Sequence, residues 1–504
     1  MSGMSDENAQ QIVTKVAGDG VPPAGGRAER KFFGQPWPLV HIFGVETWER
    51  FSWYGMQAIL LYYMYFTMAQ GGLGIDKTTA LGIMGAYGGS VYLSTILAAW
   101  ISDRVLGAER TLFYSAIVVA LGHVAMAVLP NASGLVVGLI LIAVGSGGVK
   151  SNASAIVGKL YAPEDTRRDA GFSLYYLGIN LGGFLGPLLT GWLQTSLGFH
   201  IAFGAAAVGM AIGLVQYWLG RKGLPAVTHT VPNPVSRPRL IAYSVVALAV
   251  VGVVILLISA QILDLDELPE TITVIASLAA VALFAVILSS PKITATERSR
   301  VWAFVPLFLV NVGFWSVYLL SFTLAAVYGN DRTNLDLFGW QMPPAWVQSI
   351  NPIFILILSS FFAALWTKLG ARQPNTLVKW SLGIFFCGIA YLLFLPFVGT
   401  GDHGTPLWGV TIIIFVWTLG ELLFSPTGLS LTTKLSPSAF TSQMFALYFL
   451  SMAIGGAVSG VLAQLYNESD ETPYFATLGI ATLVLGVIML IITPLSLRLM
   501  KGVR

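Results

Sequence analysis

Fourteen runs of about 20 or more mostly apolar residues follow one another along this chain, and a run of that length fits a bilayer-spanning helix. They cover roughly 39–68, 78–102, 111–129, 134–160, 169–195, 199–219, 239–261, 271–290, 301–328, 345–368, 376–398, 406–433, 440–466 and 474–497. Charged residues make up only 10% of the 504 positions, against ~25% in soluble domains. The expected class is therefore an all-α polytopic membrane protein. Glycine and proline inside the runs (Gly182-Gly183, Gly186-Pro187, Ser425-Pro426, Gly455-Gly456) suit membrane helices that approach closely or flex.

The loops test that count. With the N-terminus inside, loops on the outside should be poor in Lys and Arg. They hold two of the 27, Lys77 and Arg332. Arg50 and Lys150 fall within spans, four more lie in the N-terminal tail, and the other nineteen fall in inside loops, their margins or the C-terminus. The outside loops are acidic instead, with Asp264, Asp266, Glu267 and Glu270 in one and Glu468, Asp470 and Glu471 in another. An even number of spans with both termini cytoplasmic follows. Residues 1–36 are polar and lack an apolar stretch after a basic start, so they read as a disordered cytoplasmic tail and not as a cleavable signal. The single cysteine, Cys387, excludes an intramolecular disulfide, and no spacing points to a metal cluster. A net charge of +3 is too small to argue for nucleic acid.

An internal echo organises the spans. Trp100-Ile101-Ser102-Asp103-Arg104-Val105-Leu106-Gly107-Ala108-Glu109-Arg110 closes the second, and Trp366-Thr367-Lys368-Leu369-Gly370-Ala371-Arg372 closes the tenth. If the pair at 239–290 is an insertion, these are equivalent loops of two six-helix halves. That is the arrangement of the major facilitator superfamily, with a site near the bilayer midplane. The expected division is a tail (1–36), a first six-helix bundle (37–221), a linker with two extra helices (222–300) and a second bundle (301–504). The Asp-Arg-x-x-Gly element resembles that superfamily's cytoplasmic loop motif, and its expected role is structural.

Charges inside the spans mark the candidate site, because each costs at least ~2.5–3.5 kcal/mol at the bilayer centre. Glu46, Glu49 and Arg50 stand at i, i+3 and i+4 and share one helix face, with Tyr54 and Gln57 on the turns that follow. Lys150 is a lone cation that needs an anion: Glu46, Glu49 or a bound carboxylate. Glu421 lies in the other half and is either held neutral or meets a cationic amine. Asn180 and Asn351 are read equally as helix glue or as ligands. His123 is expected to be a packed residue and not a proton carrier. Basic groups on one half and an acid on the other describe a charge-separated cavity that suits a zwitterion.

The residues also carry a family resemblance. Glu46-x-x-Glu49-Arg50-Phe51-Ser52-x-Tyr54-Gly55 resembles the first-helix signature of proton-dependent oligopeptide transporters, the POT family. Gly147-Gly148-Val149-Lys150-Ser151-Asn152 resembles its fourth-helix lysine segment. Phe172-Ser173-Leu174-Tyr175-Tyr176-Leu177-Gly178-Ile179-Asn180-Leu181-Gly182 resembles its fifth-helix signature. Asn311-Val312-Gly313-Phe314-Trp315, Ser349-Ile350-Asn351-Pro352 and Gly420-Glu421-Leu422-Leu423-Phe424-Ser425-Pro426 resemble segments of its seventh, eighth and tenth. The matches run in order from about 37 to 466, and an extra helix pair is what bacterial members have.

The resemblance implies proton-coupled symport of di- and tripeptides by a monomer in the inner membrane, with no cofactor beyond the proton and no catalytic or metal residues. Lys150 and Arg50 would face the peptide carboxylate. Glu421, with Asn180 and Asn351, would face the amine. Tyr54, Gln57, Tyr87, Trp315 and Tyr448 would line the pocket, and Glu46, Glu49, Arg50 and Lys150 would couple the proton, with the two glutamates pairing with both cations when the site is empty. Three departures stand out: Gln57 and Leu319 replace an arginine and an acid usually described as an outer gate pair, and Gly88 replaces the histidine of animal relatives. Losing both charges of a pair can be nearly neutral where losing one is costly. Rival readings are a proton-coupled carrier of another small substrate (nitrate, a drug or an amino-acid conjugate) and a peptide sensor that moves nothing.

Overall fold

The computed structural model describes residues 31–503 apart from 163, 164, 166, 243, 244 and 246–266. Its long helices are α1 (Leu39–Tyr65), α2 (Lys77–Ile101), α3 (Ala108–Val128), α4 (Asn131–Lys159), α5 (Arg168–Leu197), α6 (Phe199–Gly220), α7 (Leu268–Ser289), α8 (Ala295–Asp331), α9 (Ile350–Leu369), α10 (Thr376–Leu392), α11 (Leu407–Leu435), α12 (Thr441–Gln464) and α13 (Glu471–Leu499). Among the described residues, twelve helices are long and apolar enough to cross a membrane. Those twelve omit α1; at 27 residues it spans ~40 Å, but Glu46, Glu49 and Arg50 dilute its apolar character. The run expected at 239–261 lies outside the described residues except for 239–242 and 245.

Local chemistry sets where the helices begin. The Asp76 carboxylate accepts from the backbone N–H of Thr78 and Thr79 at the head of α2. Thr294 and Glu297 form a reciprocal capping box that starts α8 six residues before the expected 301. Pro343-Pro344 instead forces a 3-10 turn over Pro344–Ser349 before α9. Residues 31–36 correct the expectation of a tail running to 36. Lys31–Phe32 pairs antiparallel with Gln35–Pro36 around a turn that puts Phe33 and Gly34 at positive φ. Phe32 packs on Phe43, and the Tyr161 hydroxyl donates to Gln35 at 3.1 Å. These contacts fix a segment whose composition alone reads as loop.

The helices form two sets of six. In the first, α1 packs on α5 and α6, α3 on α4 and α6, and α2 on α4. In the second, α8 packs on α12 and α13, α10 on α11 and α13, and α9 on α11. The inserted α7 lies against α2 and α12, one helix from each half. Its buried positions Pro269, Ala276, Ala280 and Ile287 fall on one stripe, while Val274, Ile275, Leu278 and Val281 on the opposite face are exposed.

The halves meet along two seams, α2 with α12 and α5 with α9 and the turn before it. In the first seam, glycines let backbones touch: a Cβ on Gly85 would overlap Gly460, and one on Gly89 would lie 2.7 Å from the Ala453 carbonyl oxygen. In the second, the Trp346 indole N–H donates to the Leu188 carbonyl at 2.9 Å and the Ser349 hydroxyl to that of Phe184 at 2.9 Å. Both seams lie toward the end of the bundle that carries the acidic loops. Toward the basic end, α9 has no buried residue beyond Ile355, and no helix of the first half closes over it. The space between the halves is thus closed at the acidic end and open at the basic end.

At the basic end the loop after α2 is held by the linker. Asn233 donates to both carboxylate oxygens of Asp103 (3.1 and 3.0 Å), and Gly107 takes φ +81° where a Cβ would crowd the Thr230 carbonyl. Buried Glu109 binds Arg221 at 2.6 and 2.9 Å and lies 3.2 Å from His229 Nδ1. The Asp-Arg-x-x-Gly element here grips the linker.

Candidate functional site: a cavity with a charge cluster at one wall and a carboxylate at the other

The three charges of α1 are buried together, Glu46 and Glu49 fully and Arg50 almost so. Arg50 Nε donates to Glu46 Oε1 at 2.8 Å, one turn back, and lies 3.1 Å from Glu49 Oε2. One guanidinium therefore serves two carboxylates. Neither oxygen of Glu49 accepts a hydrogen bond among the described residues, nor does Glu46 Oε2. The Ser52 hydroxyl is spent on the Glu49 backbone carbonyl at 2.9 Å. Glycine makes this density of charge possible: Gly182 and Gly186 of α5 pack directly on the α1 backbone around Arg50 and Phe51, where any Cβ would collide.

Lys150, on α4, departs from the expected pairing. It makes no ion pair within 4 Å among the described residues. Its ammonium stands over the ring of Tyr92 at 4.6 Å and that of Trp53 at 5.7 Å. A cation held only by aromatic faces keeps its donors free for an incoming anion. Tyr92 and Trp53 were not picked out in the sequence, although Tyr92 lies in the same span as Tyr87. The Tyr87 hydroxyl, the Trp53 indole nitrogen and Gln57 Oε1 are buried without hydrogen-bond partners among the described residues. The first half thus offers several unspent polar atoms near its charges.

The opposite wall carries Glu421 on α11. Asn351, at the head of α9, donates to Glu421 Oε2 at 3.3 Å and to the Thr418 hydroxyl at 3.0 Å. Tyr318 of α8 turns its hydroxyl toward the same carboxylate. It too was missed, though it sits one turn from Trp315 on the same face. No lysine or arginine pairs with Glu421 among the described residues. Lys150, Tyr54, Trp53 and Glu421 keep partial exposure in mid-helix, and Asn351 at a helix head, as side chains lining the central space must. Tyr54 packs edge to face on Trp53 at 4.7 Å and lies against Gly183 of α5.

Other expected site residues are already committed. The Trp315 indole N–H donates to Asn311 at 3.1 Å, and Asn311 binds the Ser451 hydroxyl, so Trp315 presents a wall. Asn180 donates to the Tyr176 carbonyl of its own helix at 2.9 Å. Tyr448 packs its hydroxyl against Gly428 of α11. His123 is fully buried, with neither ring nitrogen bonded among the described residues. Replacing it with Leu should remove an unsatisfied buried polar group, raising stability by about 1 kcal/mol with uptake unchanged. A Tm that falls, or transport that loses its dependence on the proton gradient, would give His123 a role this geometry does not.

Two six-helix halves around a charged central cavity define the class, a multi-pass membrane protein of the major facilitator fold. The chain belongs to the POT family, whose model matches residues 109–481. It is 43% identical over 478 residues to the uncharacterized transporter YclF of Bacillus subtilis, covering 94% of this chain and 97% of that one. It is 39% identical to the di-/tripeptide transporter of Lactococcus lactis subsp. cremoris, covering 95% and 99%. Among solved structures it is similar to a mutant of peptide transporter POT in complex with alafosfalin, with TM-score 0.88 and 43% identity over 94% of this chain and 98% of that one. A POT family transporter in complex with 5-aminolevulinic acid gives TM-score 0.87 at 37% identity, covering 93% and 98%.

Proposed function

We propose that this chain carries di- and tripeptides into the cell together with protons, by alternating access. The observation that carries the reading is the opposition of unspent charges: a lysine held only by rings on one half, and a carboxylate without a cation on the other. A short peptide is the zwitterion that satisfies both, its carboxylate at Lys150 and Arg50 and its amine at Glu421 and Asn351. Aromatic walls with few polar groups read the termini and leave the side chains little constrained. Relatives described as di-/tripeptide transporters support the substrate class.

The positive-inside rule assigns the basic end to the cytoplasm, which makes this an inward-open arrangement of an inner-membrane protein with both termini inside. The proton is the coupling ion, with no cofactor. With both glutamates ionised, Arg50 and Lys150 balance them and the cluster is neutral. A proton on one glutamate leaves a net positive charge, which attracts the peptide carboxylate. Peptide bridging Lys150 and Glu421 draws the basic ends together. Release to the cytoplasm and loss of the proton restore the neutral cluster.

The amine assignment is tested with Glu421→Gln. A hydrogen bond to a charged group contributes ~1.5–3 kcal/mol, so KM for free-amine dipeptides should rise about ten- to a hundredfold. N-acetylated dipeptides, which lack the cation, should change by less than about threefold. Equal loss for both would remove Glu421 from amine recognition.

A further inference from the structure

The acidic end is the side the positive-inside rule keeps poor in Lys and Arg, yet its loops hold Lys77 and Arg332. The structure finds both in ion pairs. Lys77, the first residue of α2, binds Asp331 at the end of α8 at 2.6 Å and also Glu468 in the loop between α12 and α13. It lies over the Tyr65 ring at 5.2 Å. Arg332 stays within the second half, pairing with Asp402 at 2.8 Å and Glu471 at 3.1 Å and donating to the Glu468 carbonyl at 2.5 Å. Arg332 thus fixes the loop that presents Glu468, and Lys77 crosses from one half to the other.

A lysine in the first turn of a helix opposes the helix dipole, so α2 itself gains nothing from this residue. Its partners are 254 and 391 positions away in sequence, both on the other half. Beside it Asn330 donates to Asp331 at 2.6 Å and to the Tyr65 hydroxyl at 3.2 Å, and deeper in the seam the Tyr62 hydroxyl donates to the Ala326 carbonyl at 2.9 Å. These contacts exist only while the acidic ends are together. Further down the pore, Gln57 and Leu319 supply no charge pair.

We propose that Lys77, with Asp331 and Glu468, is the ionic latch of the outer gate, a positioning device that sets how often the acidic end opens, with Arg332 holding the acids in place. This rests on the alternating-access reading but not on the identity of the substrate. The side chains of Lys77 and Asp331 are 27% and 22% exposed, so the latch is of the solvent-screened kind. Its removal should shift the open-to-closed ratio about 1.5- to 5-fold and no more. That size suits a gate, which must open in every cycle.

The test is the rate at which a membrane-impermeant methanethiosulfonate modifies Ala326→Cys from outside, in protein carrying Cys387→Ala and reconstituted without substrate. Lys77→Ala should raise the rate about 1.5- to 5-fold and Lys77→Asp should raise it further. Lys77→Arg should leave it unchanged, and Lys77→Asp combined with Asp331→Lys should bring it back toward the starting value. A merely structural lysine would not be rescued by the exchange of charges. Unchanged labelling in Lys77→Ala, or no recovery in the charge exchange, overturns the latch. Gly85→Leu, which wedges the α2–α12 seam, separates the two readings. Labelling of that variant without an effect of Lys77 rejects the latch alone, and no labelling in either rejects alternating access and the latch with it.

Discussion

Glu49→Gln should abolish uphill peptide accumulation while peptide exchange across the membrane continues. In the structure Arg50 serves two carboxylates, and neither Glu49 oxygen accepts a hydrogen bond among the described residues. A glutamine there fixes the cluster in the charge state that a proton would otherwise create and remove in each cycle. The carboxylate pole stays attractive to peptide, so binding and exchange should remain within about threefold, the effect of a modest change in one charge contact. What is lost is the obligation to carry a proton. One pH unit corresponds to 1.36 kcal/mol, about tenfold in accumulation, and each charge moved inward gains ~2.3 kcal/mol per 100 mV. The internal-to-external ratio should therefore fall from well above ten to one. Gradient-driven accumulation that survives the substitution would place the proton elsewhere, with Glu46 the next residue to replace.

Gly85→Leu should stop transport altogether, exchange included. Gly85 and Gly460 touch backbone to backbone, and Gly89 and Gly456 do the same one turn along, where a Cβ on Gly456 would lie 2.7 Å from the Gly89 nitrogen. No rotamer relieves a clash with backbone, so the two halves must part. Overpacking costs up to ~3 kcal/mol, and a penalty of that size reduces the closed population about a hundredfold. The clash falls at the seam between the halves and not inside either bundle, so the variant should fold and accumulate in the membrane open at the acidic end. Peptide counterflow measures this directly: Glu49→Gln should retain it and Gly85→Leu should not. Wild-type counterflow in Gly85→Leu would mean that the seam is not part of the moving interface.

The contrast between these two sites shows what the chain discloses by itself. The helices were legible because lipid demands long apolar runs. The span expected at 199–219 is Phe199–Gly220, and that at 169–195 is Arg168–Leu197. Where polar chemistry sets the boundary, the periodicity fails. Thr294 and Glu297 extend α8 toward the basic end, and Pro343-Pro344 delays α9. The charges of the site were legible for the same reason as the spans, because an ionised residue in an apolar run is conspicuous.

Their partners were less so. Glu46 and Arg50 pair within one helix, and their spacing announces it. The two rings that hold Lys150 lie on two other helices, and nothing in sequence marks Tyr92 and Trp53 among many membrane aromatics. Gln57 and Leu319 show in sequence that the usual gate charges are absent, but nothing local marks Lys77 and Asp331, which are 254 positions apart in the chain. Contacts of that separation depend on how helices pack, and no local pattern carries them.

Coupled transport is read out in liposomes. Purified protein is reconstituted in liposomes with labelled dipeptide on both sides at equal concentration, and an inward proton gradient is imposed. Dipeptide should accumulate inside above its external concentration, a protonophore should collapse the accumulation, and unlabelled di- and tripeptides should compete while nitrate does not. Dipeptide that binds the protein but never rises above its external concentration under the gradient would rule out coupled transport and leave a protein that senses peptide without moving it.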